Sequence, residues 1–224
     1  MRRFLFENSL SLFFGVLFLG TLVGQSLAGQ RVFNENQLAH GGEPASYLDY
    51  VLSSDFGRAV TENWQSEYLQ FTVFILATVW LVQKGSNESK PLDQAGLESD
   101  QKQQVGGYAP EGAPAWARAR GWRTALLSHS LVLAMTVLFL GSWLAQSLTA
   151  WTAFNAEQRG HDESTLTWVA YLGRPDFWER TLQNWQSEFL AVGTMAVFTI
   201  YLRQRGSPES KPVGAPHEQT GTSG

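Results

Sequence analysis

The sequence contains no cysteine, and charged residues make up only 16% of its 224 residues. Without Cys, disulfide bonds, thiolate chemistry and Cys-based metal sites are excluded. Sixteen Lys and Arg stand against 20 Asp and Glu, a net charge of −4 with no basic cluster, so no nucleic-acid partner is predicted. Phosphate-binding loops, nucleophile motifs and dinucleotide fingerprints are also missing. We therefore expect no enzyme activity and no cofactor.

Long apolar segments and aromatic residues are plentiful, with nine Trp and 14 Phe. Four segments carry no internal charge or Pro: residues 10–27, 68–82, 131–148 and 189–202. The first and third reach the length that crosses a bilayer. The other two reach it only if the preceding Asn-Trp-Gln-Ser-Glu, present at 63–67 and 184–188, is included. We predict an all-α membrane protein with spans at about 9–28, 63–83, 129–149 and 184–203.

The chain contains an internal repeat with an offset of 121 residues. Aligned without gaps, 8–91 and 129–212 share 33 identities in 84 pairs. The N-terminal "MRR", apolar run and "SLAGQ" also resemble a secretory signal, but the matching internal segment favours a retained span. Since each copy contains two spans, the copies insert in the same sense, as two parallel-repeat helical hairpins. Four regions are predicted: a first repeat (1–91), a disordered linker (92–120), a second repeat (121–212) and a disordered tail (213–224).

Basic residues indicate the orientation in the membrane. Eleven of the 16 flank the termini and the linker, and five lie in the two loops between paired spans: Arg31, Arg58, Arg159, Arg174 and Arg180. The positive-inside rule then puts both termini and the linker in the cytoplasm of a bacterial inner membrane. The lipid bilayer is the expected partner, with a homo-oligomer as a further possibility.

Each repeat closes with the same short motif, "GSNESKP" or "GSPESKP". Gly85 and Gly206 are predicted C-caps of the second and fourth helices. Asp55 and Asp176 are predicted N-caps of the same helices. The motif is interpreted as a stop signal at the inner interface, with a regulatory motif as the alternative.

Polar residues at the outer membrane level form the candidate site. Helical spacing puts Asn63, Trp64 and Glu67 on one face, with Gln65 and Ser66 pointing elsewhere. The predicted polar cluster consists of Glu67, Glu188, Asn63, Asn184, Gln25, Gln146, Thr78 and Thr199.

Two interpretations of this cluster stay open. Ionisable side chains within a span are costly, and many of them handle an ion, a proton or a small polar solute. Alternatively, the glutamates only hold helices together, in a structural or accessory protein. The aligned His40 and His161 lack metal-ligand spacing and are interpreted as exposed loop residues rather than as a metal site.

The paired pattern "GQSL…FN…NWQSE…GSxESKP" resembles a family of bacterial, largely actinobacterial, integral membrane proteins known only as a domain of unknown function. The resemblance covers nearly the whole chain outside the linker and tail. It implies a four-span inner-membrane protein and no established activity.

Overall fold

The helices of the protein confirm the all-α prediction. The computed structural model describes residues 2–221, and these contain nine α-helices and no strand. In chain order the helices are α1 (Arg2–Glu7), α2 (Ser9–Ala39), α3 (Tyr47–Val51), α4 (Ser54–Trp80), α5 (Ala115–Arg118), α6 (Trp122–Ser128), α7 (Ser130–Gly160), α8 (Trp168–Leu172) and α9 (Pro175–Tyr201).

The two longest helices are also the most apolar. α2 and α7 have 31 residues each, so both are roughly 46 Å long at about 1.5 Å per residue. Among the described residues they are the two helices long and apolar enough to cross a membrane. Both continue beyond the predicted spans, which end near residues 28 and 149. The extra length would carry each C-terminus past a hydrocarbon core about 30 Å thick.

α4 and α9 differ from the predicted helices at both ends. Asp55 and Asp176 lie within the first turn rather than at the N-cap, and the Ser53 hydroxyl accepts from Phe56 N–H. The helices end at Trp80 and Tyr201, so Gly85 and Gly206 are not their C-caps. Both glycines instead adopt φ of +84° and +82° in the turn that follows, a conformation that favours glycine.

The helix boundaries recur with the repeat offset. Adding 121 to the limits of α2, α3 and α4 gives the limits of α7, α8 and α9. The linker and tail contain less regular structure: two 3₁₀ turns (Leu92–Gln94 and Gly106–Tyr108) and α5 lie within 92–120. The predicted disorder of linker and tail stays a prediction. Two ends of the predicted regions lie outside the described residues: residue 1 of the first repeat and residues 222–224 of the tail.

The chain divides into two compact units. The first contains the residues up to Val60 together with Ala145–Tyr171, and the second contains Thr61–Leu144 together with the residues from Leu172 onward. In each unit the buried positions of the long helices are largely polar. Ser26 is the buried residue of α2, and Gln65, Ser66 and Thr72 are those of α4.

The outward-facing positions of the same helices are apolar. Leu17, Leu19 and Val137 are 47%, 60% and 69% exposed, and many other Leu, Val and Phe of α2 and α7 are exposed as well. A water-soluble protein rarely exposes a continuous apolar surface of this kind. In lipid, by contrast, apolar side chains face outward and polar groups must find partners inside the protein.

Candidate functional site

The two Asn-Trp-Gln-Ser-Glu segments contact each other within the second unit. Gln65 is 0% exposed, and its Oε1 accepts a 2.8 Å hydrogen bond from Trp185 Nε1. The Ser66 hydroxyl, 1% exposed, lies 3.5 Å from Glu188 Oε1, a long contact. Different residues of the two copies therefore meet: the Gln and Ser of α4 face the Trp and Glu of α9.

In the first copy, the face that carries the predicted polar cluster is not the buried face of α4. Asn63, Trp64 and Glu67 are exposed there, and the buried residues are the two that had been expected to point elsewhere. The second copy follows the prediction more closely, since Asn184, Trp185 and Glu188 are half-buried. Helical spacing shows which residues share a face, but it does not show which face meets a neighbour. Two identical pentapeptides can meet through different faces.

The other predicted site residues lie in several places. Gln25 is exposed and Gln146 is buried, and both belong to the first unit. Thr199 is buried in the second unit, and its hydroxyl is 3.1 Å from the Ser86 hydroxyl. Thr78 lines a cavity described below.

Glu67 differs from Glu188 in its surroundings. Its carboxylate forms no hydrogen bond among the described residues, whereas Glu188 has the contact with Ser66. The two carboxylates are near enough to repel each other electrostatically. Glu67 is exposed, whereas Glu188 is half-buried beside Ser66.

Aromatic side chains surround the buried hydrogen bond of Trp185. The Trp143 ring lies 5.9 Å from the Trp185 ring, 5.7 Å from Phe139 and 6.4 Å from Phe177. Such packing excludes water and holds the indole of Trp185 in place.

The GSxESKP motifs form the same turn twice. The hydroxyls of Ser89 and Ser210 accept 2.9 Å hydrogen bonds from Gln83 N–H and Gln204 N–H, just after each long helix ends. A side-chain acceptor in this place satisfies a backbone donor as the chain leaves the helix. This turn explains why Ser, and not only Gly, recurs in both copies.

Lys211, the lysine of the second motif, is enclosed by backbone oxygens. It is 1% exposed, and Nζ donates to the carbonyls of Gly85 (2.6 Å), His217 (3.0 Å) and Gln219 (3.0 Å). Burial, and next the positive charge of Arg203, lower the pKa of Lys211. The ammonium therefore joins the first motif to the tail.

A cavity of about 430 Å³ lies beside the first motif. Its lining includes Thr78, Asn87, Glu88, Lys90, Gln94 and Glu98. Lys90 forms an ion pair of 3.3 Å with Glu98. Burial, and next the negative charge of Glu209, raise the pKa of Glu88. Lys90 and Glu98 balance each other, whereas the Glu88 carboxyl has a like-charged neighbour in Glu209 and a buried Oε1 without a hydrogen-bond partner among the described residues.

The loops that follow α2 and α7 in the first unit are held by equivalent hydrogen bonds in the two repeats. Asn34 exchanges two hydrogen bonds with the backbone of Ala45, at 2.8 and 3.1 Å, and Asn155 exchanges two with Leu166, both at 2.9 Å. Phe33 packs on Tyr50 with ring centres 5.5 Å apart. These contacts give the recurring Phe-Asn pair a structural role in shaping the loop.

His40 and His161 are close together in this unit, with ring centres 6.2 Å apart. They follow the last residues of α2 and α7 rather than lying in the middle of loops. Residues 2–221 hold no group of three or more His, Cys, Asp and Glu suited to a metal ion.

A family model for a domain of unknown function, DUF6766, matches residues 1–222, so the chain belongs to this family. The match covers nearly the whole sequence and assigns no activity. No curated protein and no solved structure is similar to the chain at a significant level.

Proposed function

We propose that the chain is an integral protein of a bacterial cytoplasmic membrane, crossed by α2, α4, α7 and α9. The exposed apolar faces of α2 and α7 support this proposal, and the distribution of Lys and Arg supports cytoplasmic termini and linker. α4 and α9 also expose apolar residues beyond the repeated pentapeptide, among them Phe71, Leu76, Phe189 and Phe198. The equal limits of the paired helices support two hairpins from a duplicated unit.

Within this arrangement the repeated pentapeptides have a structural role: they hold α4 and α9 together. The hydrogen bond from Trp185 to the fully buried Gln65 carries this proposal. Helices in lipid associate without a hydrophobic driving force, so packing and interhelical hydrogen bonds determine which faces meet. The protein is accordingly a structural or accessory membrane protein, without enzyme activity.

Matched glutamine variants test the structural role. Gln65→Leu removes the acceptor of Trp185 and is expected to lower the free energy of unfolding by about 1–2 kcal/mol. Gln186, the equivalent residue of the second copy, is exposed, and Gln186→Leu is expected to change stability by less than about 0.5 kcal/mol. Stability is measured by thermal unfolding of the detergent-solubilised protein. Equal effects of the two substitutions would contradict the proposed role.

A second candidate function is the handling of an ion, a proton or a small polar solute. The exposed Glu67, which has no hydrogen bond in the described residues and lies near the charge of Glu188, favours it. A carboxylate at membrane depth without a partner is more often functional than structural.

Glutamine variants of the two glutamates separate the candidates. If the carboxylates handle a proton or cation, Glu67→Gln with Glu188→Gln abolishes proton or cation flux into proteoliposomes and leaves thermal stability unchanged. If the two glutamates only hold helices together, liposomes with the wild type and liposomes with the double variant show the same background flux. Flux that differs between wild type and the double variant would make the structural account insufficient.

A further inference from the structure

The ends of α2 and α7 present a histidine in the same local geometry. α2 ends in a Schellman motif, in which Gly42 N–H donates to Gln37 O at 2.8 Å and Gly41 N–H to Leu38 O at 3.1 Å. α7 ends in the same way, with Glu163 N–H donating to Gln158 O at 2.8 Å. Gly41 and Asp162 supply the required positive φ, at +76° and +57°. His40 and His161 directly precede these two residues.

The Schellman turns bring two exposed imidazole rings within 6.2 Å, at an interplanar angle of 83°. Two imidazole nitrogens that each lie about 2.0–2.1 Å from one zinc ion have ring centres roughly 5–6 Å apart. Small side-chain rotations therefore suffice to place both rings around one ion. Both imidazoles are accessible to solvent, so an ion can enter without opening the fold.

Hydrogen bonding leaves one nitrogen of His40 available. Its Nδ1 lies 2.7 Å from the carbonyl oxygen of Asn36, which can only accept, so Nδ1 carries the proton and donates. The neutral ring then presents the lone pair of Nε2. A backbone carbonyl that fixes the tautomer in this way is the usual outer partner of a metal-binding histidine.

The two helix ends also favour a cation. The aligned peptide dipoles of a helix give its C-terminus a partial negative charge of about half an elementary charge. His40 is the C-cap residue of α2, and His161 follows the last residue of α7. A cation between the rings would lie near both of these ends. The attraction between the cation and the negative helix ends does not depend on the histidine side chains themselves.

We propose that His40 and His161 together bind a divalent transition-metal ion of the zinc class, one ion per chain, with water completing the coordination. Neutral imidazole is a preferred ligand of Zn²⁺. With two protein ligands, the site exchanges its ion with solvent more readily than a four-ligand structural zinc site does. The inference is independent of the proposed role of the pentapeptides, because it uses neither Glu67 nor Glu188.

Calorimetric titration of the purified, metal-free full chain with ZnCl₂ tests the proposal. Wild type is expected to bind one Zn²⁺ per chain. His40→Ala and His161→Ala are each expected to weaken binding at least about tenfold, since loss of a mere outer partner already costs about 10–100-fold. His129→Ala and His217→Ala remove the other two histidines of the sequence and are expected to leave binding within about twofold of wild type.

Three outcomes would overturn the inference. They are an absence of stoichiometric Zn²⁺ binding by wild type, an equal loss in either control variant, and recovery of binding when His40→Ala and His161→Ala chains are mixed. The last result would place the site between two chains. The milder variants His40→Gln and His161→Gln, checked for an unchanged thermal midpoint without zinc, guard against a loss that arises from misfolding.

Discussion

Lys211→Ala is expected to release the C-terminal segment from the first GSxESKP motif. In the wild type the ammonium of Lys211 joins Gly85 O to His217 O and Gln219 O, and Gly221 N–H donates to Ser86 O at 3.1 Å. Removing the Lys211 ammonium leaves all of the carbonyl groups that it joins without their hydrogen-bond donor. A buried acceptor left without its donor costs about 1–3 kcal/mol, so we expect the segment to lose about 3 kcal/mol of local stability.

Amide hydrogen exchange measures this loss directly. A change of about 3 kcal/mol in the free energy of opening accelerates exchange roughly a hundredfold for the amides of Gln219 and Gly221. Lys84→Ala is the control, because its 2.9 Å ion pair with Glu218 joins side chains that are 57% and 79% exposed. Exposed ion pairs contribute at most about 1 kcal/mol, so Lys84→Ala is expected to accelerate exchange of these amides by no more than about fivefold. Fast exchange of these amides already in wild type would contradict the account and support the disordered tail predicted from sequence.

The same lysine gives the stability of the segment a dependence on alkaline pH. Because the pKa of Lys211 is lowered in the folded protein, the unfolded chain binds more protons between that pKa and the ordinary value of 10.5. Stability contributed by this group therefore rises with pH through that window. Lys211→Ala is expected to lack this rise, while Lys84→Ala retains it.

The presence of the long helices and the repetition of their limits follow directly from sequence. Apolar runs without Pro predict α2 and α7, and the 121-residue offset predicts that the second half repeats the helix limits of the first. The Phe-Asn pair that recurs at 33–34 and 154–155 is also a usable signal, because Asn34 and Asn155 form equivalent hydrogen bonds in their loops. These features depend on short stretches of chain, where spacing and residue type are sufficient.

The pairing of faces could not be predicted, because it depends on residues far apart in the chain. Gln65 and Trp185 are 120 positions apart, and helical periodicity leaves the direction of each face undetermined. The contact between His40 and His161 was missed for the same reason. The early ends of α4 and α9 have a local cause: the hydroxyls of Ser89 and Ser210 offer the backbone a competing turn before the glycines are reached.

Membrane topology is the second prediction with a large effect, since each position is expected to be either labelled or protected. The absence of cysteine means that single-cysteine variants need no prior substitutions. Glu43→Cys and Ser164→Cys lie in the two loops that follow α2 and α7, Gln101→Cys lies in the linker, and all three positions are exposed. A membrane-impermeant maleimide reports which of them face the outside of intact cells.

Labelling at the linker position distinguishes a four-span topology from a two-span topology. With four spans, Glu43→Cys and Ser164→Cys label in intact cells, and Gln101→Cys labels only after permeabilisation. If α2 and α7 alone crossed the membrane, Gln101→Cys would lie outside with Glu43→Cys, and Ser164→Cys would be protected. The account predicts labelling at 43 and 164 with protection at 101. Labelling at 101 in sealed cells would contradict it.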